Sequence, residues 1–150
     1  MKTGKIRALV ICIFQKDDSI LVAEGYDPVK GDYYYRPIGG GIEHGEKSAE
    51  ALIREVREEI ETEIFNLEYL GTLENIFTFN GEVGHEIVQV YDADFVDPTF
   101  YTEALFEGKE SDRNIFKIMR LPINKFQNGE LHLVPEGLLD LIKQNHKIVK

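Results

Sequence analysis

Only one cysteine, Cys12, stands among 150 residues, so no internal disulfide can form and no thiolate cluster is available for a zinc centre. Its neighbours, Ala8 to Ile11 and Ile13-Phe14, make it a buried thiol. Long apolar runs are also missing. The stretch 8–14 falls far short of the roughly 20 residues that cross a bilayer. Lys2 and Lys5 precede it as in a secretory leader, but it ends in Gln15-Lys16-Asp17-Asp18 with no small-residue cleavage site. Cys12 follows bulky Ile11, which does not suit a lipoprotein cleavage site. The run therefore reads as a strand, and the expectation is a cytoplasmic protein with no membrane partner. Positive charge is scarce, with 17 Lys+Arg against 27 Asp+Glu and a net charge of -10. A binder of nucleic-acid polymers would show a basic face, so that class is set aside. An anionic small molecule stays admissible if cations supply the missing charge. No repeat, low-complexity tract or linker divides the chain, so 1–150 reads as one domain.

What is present is mostly strand. Residues 5–14 and 20–23 are aliphatic and β-branched, and Tyr33-Tyr34-Tyr35 resumes extended structure after a loop holding Pro28 and Gly31. Ile64–Phe79 and His85–Phe95 flank Asn80-Gly81-Glu82-Val83-Gly84, a hairpin loop. Residues 97–113 are polar and irregular, and Asn114–Leu121 returns to strand. Val134-Pro135-Glu136 opens a terminal helix with Leu138, Leu141 and Ile142 on one face. Strands and helices do not alternate, which predicts a mixed sheet with helices packed on it: an α+β, or layered α/β/α, domain.

The one strongly helical segment is 48–60, with Ser48 as its N-cap and Glu50 in the first turn. At about 100° per residue, Ala49, Leu52, Ile53, Val56 and Ile60 form a stripe to be buried. Glu50, Arg57 and Glu61 form a solvent face. A third side gathers Glu55, Glu58 and Glu59, with Ala51 one turn earlier and Arg54 at the flank. Like charges at those spacings destabilise a helix by a few tenths of a kcal/mol per pair. A hard divalent ion, Mg²⁺ or Mn²⁺, converts that repulsion into coordination and leaves room for phosphate oxygens. Arg54 is placed to hold a neighbouring glutamate in one rotamer, with Glu46 as a candidate partner. Just upstream, Gly39-Gly40-Gly41 permits positive φ and close approach of backbone to a ligand. There is no P-loop lysine pattern.

Joined together, these residues resemble the box of the Nudix hydrolases, G-x5-E-x7-R-E-U-x-E-E-x-G-U, where U is a bulky aliphatic. Gly40, Glu46, Arg54, Glu55, Val56, Glu58 and Glu59 stand at the expected offsets. Glu61 replaces the usual glycine and Thr62 the usual aliphatic residue, so the turn after the helix departs from the family pattern. The resemblance implies a Nudix-type α/β/α sandwich with a mixed sheet between helices. It implies hydrolysis of a nucleoside diphosphate linked to another group, by attack of water on phosphorus with Mg²⁺ or Mn²⁺. Glu55, Glu58 and Glu59 would be metal ligands, with the Gly39 or Gly40 carbonyl beside them, and Arg54 and Glu46 would orient them. The general base is open between Glu58 and the acids of a later segment, Glu103, Glu107 and Glu110, with Glu110 favoured. Arg36, Lys30 and Arg113 are candidates for phosphate contact, and Tyr33, Tyr34, Tyr35, Phe77 and Phe79 for stacking on a base. Residues 63–97 contain no proline, which disfavours ADP-ribose as substrate, and phenylalanine rather than tyrosine disfavours dinucleoside polyphosphates. A nucleoside triphosphate leads. Nucleotide sugars and ADP-ribose are alternatives, as is a nucleotide-binding regulator without turnover. A homodimer is the family's habit.

Overall fold

The computed structural model describes residues 4–103, 105–110, 112 and 114–145. Seven strands form one sheet: β1 (Ile6–Cys12), β2 (Ser19–Asp27), β3 (Asp32–Gly41), β4 (Ile64–Phe79), β5 (Glu82–Phe95), β6 (Leu105–Lys109) and β7 (Ile115–Pro122). Their order across the sheet is β4-β5-β1-β3-β2-β7-β6. Among the strands of the described residues, β1 and β5 run parallel and the other neighbours are antiparallel, so the sheet is mixed as the sequence predicts.

The central position of β1 explains its composition. Leu9 to Phe14 are all buried, because helices cover both faces there. Even-numbered residues, Val10, Cys12 and Phe14, face α1 (Ser48–Ile60) together with Leu52, Val56 and Ile60. Odd-numbered residues, Leu9, Ile11 and Ile13, face the opposite layer, with Phe126 of α2 (Asn124–Gln127) and Leu138 and Ile142 of α3 (Leu138–Gln144). This is the expected α/β/α layering. Cys12 is fully buried, and burial pushes its thiol pKa well up. Among the described residues no helix is long and apolar enough to cross a membrane.

Several boundaries differ from the sequence reading. The β4–β5 loop is two residues, Asn80 and Gly81, both with positive φ, as a tight primed hairpin turn requires. Residues 97–113 are not structureless: Pro98–Tyr101 make a 3-10 turn and β6 is an edge strand on β7. The terminal helix starts at Leu138 rather than at Pro135. Lys47, not Ser48, caps α1, and its N–H donates to Glu50 Oε1 at 2.8 Å. Ser48 is hydrogen-bonded instead to the Tyr91 hydroxyl, at 2.6 Å.

Candidate functional site

The three glycines lie within β3, not in a loop, and none has positive φ. Their small size serves close packing. A side chain at Gly39 would collide with the backbone of β1, and one at Gly40 would collide with the carboxylate of Glu55. Gly40 thus lets α1 press an acid directly against the strand. Ala51, which the helical wheel put on the acidic side, is fully buried, so the start of that side faces the sheet, whereas Glu55 and Glu59 are partly buried and Glu58 reaches solvent.

Arg54 organises the next layer. Its Nε and Nη2 donate to the two oxygens of Glu46 at 2.8 and 3.0 Å. Nη2 also donates to the Gly41 carbonyl at 2.9 Å, which ties α1 to the end of β3. Nη1 reaches Glu55 at 3.1 Å and Glu58 at 3.2 Å. The guanidinium holds Glu46 at a pKa of about 2, and Glu46 also accepts the Glu43 N–H. The pairing of Arg54 with Glu46 that the sequence suggested is formed.

Glu59 has no such partner. Its Oε1 is buried and makes no hydrogen bond. Burial raises its pKa to about 8; Glu55, Glu110 and Glu58 push the same way and Arg36 pulls it down. Glu55 is raised for the same leading reason, burial, against the pull of Arg54. The donor set fits a hard divalent ion, since it is all oxygen, acidic and set beside strand carbonyls. Among the described residues no three acids already converge at ligand spacing; the side chain of Arg54 engages Glu55 and Glu58.

Glu59 opens into a pocket on the α1 side of the sheet whose lining includes Arg36, Gly39, Tyr34, Phe116 and Glu110. Of the three later acids considered as bases, Glu110 is the one that lines it. Glu58 is half exposed, Glu103 and Glu107 are exposed, and none of the three lines the pocket. Lys30 is exposed in the β2–β3 turn, and Arg113 lies outside the described residues. Of the five aromatic candidates only Tyr34 lines the pocket. Tyr33 is exposed against Tyr26, Tyr35 is buried in the other layer, Phe77 packs over Gly84, and Phe79 meets Tyr34 edge-on. Phe116 was not singled out from sequence, where it looks like any strand aromatic.

The family profile described as NUDIX domain matches residues 4–136. The NAD-capped RNA hydrolase NudC of Pseudomonas aeruginosa is 28% identical over 113 residues, which is 75% of this chain and 37% of that protein. This chain therefore spans little more than a third of that relative's length. Among solved structures, a NUDIX hydrolase from Nitrosomonas europaea superposes with a TM-score of 0.62 at 19% identity, covering 95% of this chain and 89% of that one. A MutT NUDIX hydrolase from Burkholderia pseudomallei gives 0.59 at 19% identity, covering 81% and 86%.

Proposed function

This chain belongs to the NUDIX domain family, the Nudix hydrolases, and from that premise we propose that it cleaves a phosphoanhydride in a nucleotide, a nucleoside triphosphate foremost, with Mg²⁺ or Mn²⁺ as cofactor. The observation that carries the reading is Glu59: a partly buried carboxylate whose buried Oε1 has no hydrogen bond, in the same pocket as Arg36 and Glu110.

Glu55, Glu58 and Glu59, with the Gly40 carbonyl, would hold the metal. Such an ion would supply neutralising charge for phosphate oxygens and would activate water as a nucleophile. The chain's own groups do the rest. Arg54, fixed by Glu46 and the Gly41 carbonyl, keeps Glu55 and Glu58 in defined rotamers. Arg36 supplies positive charge for a phosphate in an otherwise acidic pocket. Glu110, across the pocket on the segment that follows β6, accepts the proton of the attacking water at a carboxylate oxygen.

A second substrate class has one observation behind it. The curated relative NudC is named for NAD-capped RNA, which contains a dinucleotide diphosphate. One panel tests both: nucleoside triphosphates, NAD-type dinucleotides, ADP-ribose and nucleotide sugars, each with Mg²⁺, with Mn²⁺ and with chelator. Metal-dependent release of mononucleotide from at least one compound is expected. Binding without turnover across the panel would instead make this a nucleotide-sensing module.

A further inference from the structure

The pocket beside Glu59 has an aromatic floor that the hydrolytic chemistry does not use. On β3, the ring of Tyr34 lies over its cross-strand partner Gly25, where any Cβ would collide with the ring. On β7, the ring of Phe116 lies over its own cross-strand partner, Gly108 of β6. Ala23 of β2 pairs with Ile118 of β7, so continuing that register brings Gly25 beside Phe116. Tyr34, Gly25, Phe116 and Gly108 therefore form one transverse row across four strands, aromatic and glycine by turns. The row lies on the α1 side, and Tyr34, Gly25 and Phe116 line the pocket with Arg36, Glu59 and Glu110.

An aromatic ring covering a strand glycine is a common packing device. Two in one row, both bordering a charged pocket, are more than packing requires. The Tyr34 ring is also held in place from a third side. Phe79, at the tip of the β4–β5 hairpin, meets it edge-on with centroids 5.9 Å apart. That tip is tethered across the sheet, since buried Asp27 accepts the Asn80 N–H at 3.2 Å while it closes its own turn through Val29 and Lys30. A rotamer fixed by a glycine floor and an aromatic buttress presents a flat π-face at little entropic cost.

We propose that Tyr34, with Phe116 beside it, is the surface on which the nucleobase of the substrate stacks, Arg36 standing between base and scissile phosphates. Gly25 and Phe79 are positioning residues that set the ring. Sequence-tolerant stacking of this kind predicts a preference for nucleosides over bare polyphosphates rather than for one base. The inference rests on the nucleotide reading above and deepens it.

The test is calorimetric titration of the full chain in Mg²⁺ with α,β-methylene nucleoside triphosphates and, separately, with inorganic tripolyphosphate. Tyr34→Leu is expected to weaken nucleoside binding by roughly 10- to 100-fold while leaving tripolyphosphate affinity unchanged. Gly25→Val, which expels the ring without removing it, should do the same, and Tyr34→Phe should bind like wild type. Wild-type nucleoside affinity in both Tyr34→Leu and Gly25→Val would overturn the proposal, as would a proportional loss of tripolyphosphate binding or no nucleoside binding by the wild type. If the expected pattern holds but cleavable triphosphates persist with metal, hydrolysis is refuted and stacking stands. If triphosphates are cleaved and Tyr34→Leu leaves KM unchanged, stacking is refuted and hydrolysis stands.

Discussion

A carboxylate oxygen buried without a hydrogen bond works against the fold that contains it, and Oε1 of the partly buried Glu59 is in that position. Its folded pKa of about 8 lies above the ordinary 4.5, so the sign is set. Below pH 4.5 the group is protonated in both folded and unfolded chains and costs nothing differential. Between 4.5 and 8 the unfolded chain has released the proton and the folded chain retains it, so stability falls as pH rises; above 8 the penalty is constant. Glu59→Gln removes the charge at nearly the same volume. The metal-free variant should therefore be more stable than wild type by on the order of 2 kcal/mol at pH 7.5, with the gap closing toward pH 4.5. Turnover should meanwhile fall by about two orders of magnitude or more. Urea melts at several pH values and a single-substrate assay check both halves. A variant less stable than wild type at pH 7.5 would show that Glu59 is a structural acid.

At the scale of elements, the end of α1 shows what a departure from the family box does. Glu61 occupies the usual glycine position and takes φ 54, ψ 45, the left-handed conformation that glycine adopts at low cost. Its N–H still donates to the Arg57 carbonyl at 3.0 Å, so the helix closes normally and the strain is local. Glu61→Gly should raise stability by about 1 kcal/mol despite the greater freedom of the unfolded chain, measured by thermal melting, with no change in KM because Glu61 lies outside the pocket; a drop in Tm would mean the side chain has a compensating role. The helix itself was legible because 3.6-residue periodicity, carboxylate spacing and box offsets all coincide in 48–60. The glycines were not legible as a strand. Composition marks glycine as a turn residue, while the real constraint, the nearness of β1 and Glu55, is tertiary. Likewise β6 was hidden because Glu107, Gly108 and Lys109 carry no strand pattern and pairing with β7 decides their conformation. The Gly25–Tyr34 and Gly108–Phe116 pairs had no signal at all without register.

The whole molecule is a sheet that carries one acidic face to a pocket, in a chain of net charge -10, and the acids are spread over α1 and the segment after β6. Anything that binds this arrangement in the folded state and not in the unfolded chain stabilises the fold by mass action, about 2.7 kcal/mol at a hundredfold excess over Kd. For a domain of this size each kcal/mol moves Tm by about 2–4 °C. Mg²⁺ or Mn²⁺ should therefore raise Tm by several degrees, and the rise should depend on pH in a sense opposite to that of the metal-free stability. An ion reaching Glu59 must displace its proton, so binding below pH 8 releases protons and weakens as the solution becomes more acid. The increment in Tm should be larger at pH 8 than at pH 6, and Glu59→Gln should flatten that difference because it has no proton to lose. Differential scanning calorimetry at the two pH values, on both proteins, with and without metal, decides it. An increment that is equal at pH 6 and 8 in the wild type would place the ion away from Glu59, and no increment at either pH would leave the acidic face of α1 without the cation that its charges call for.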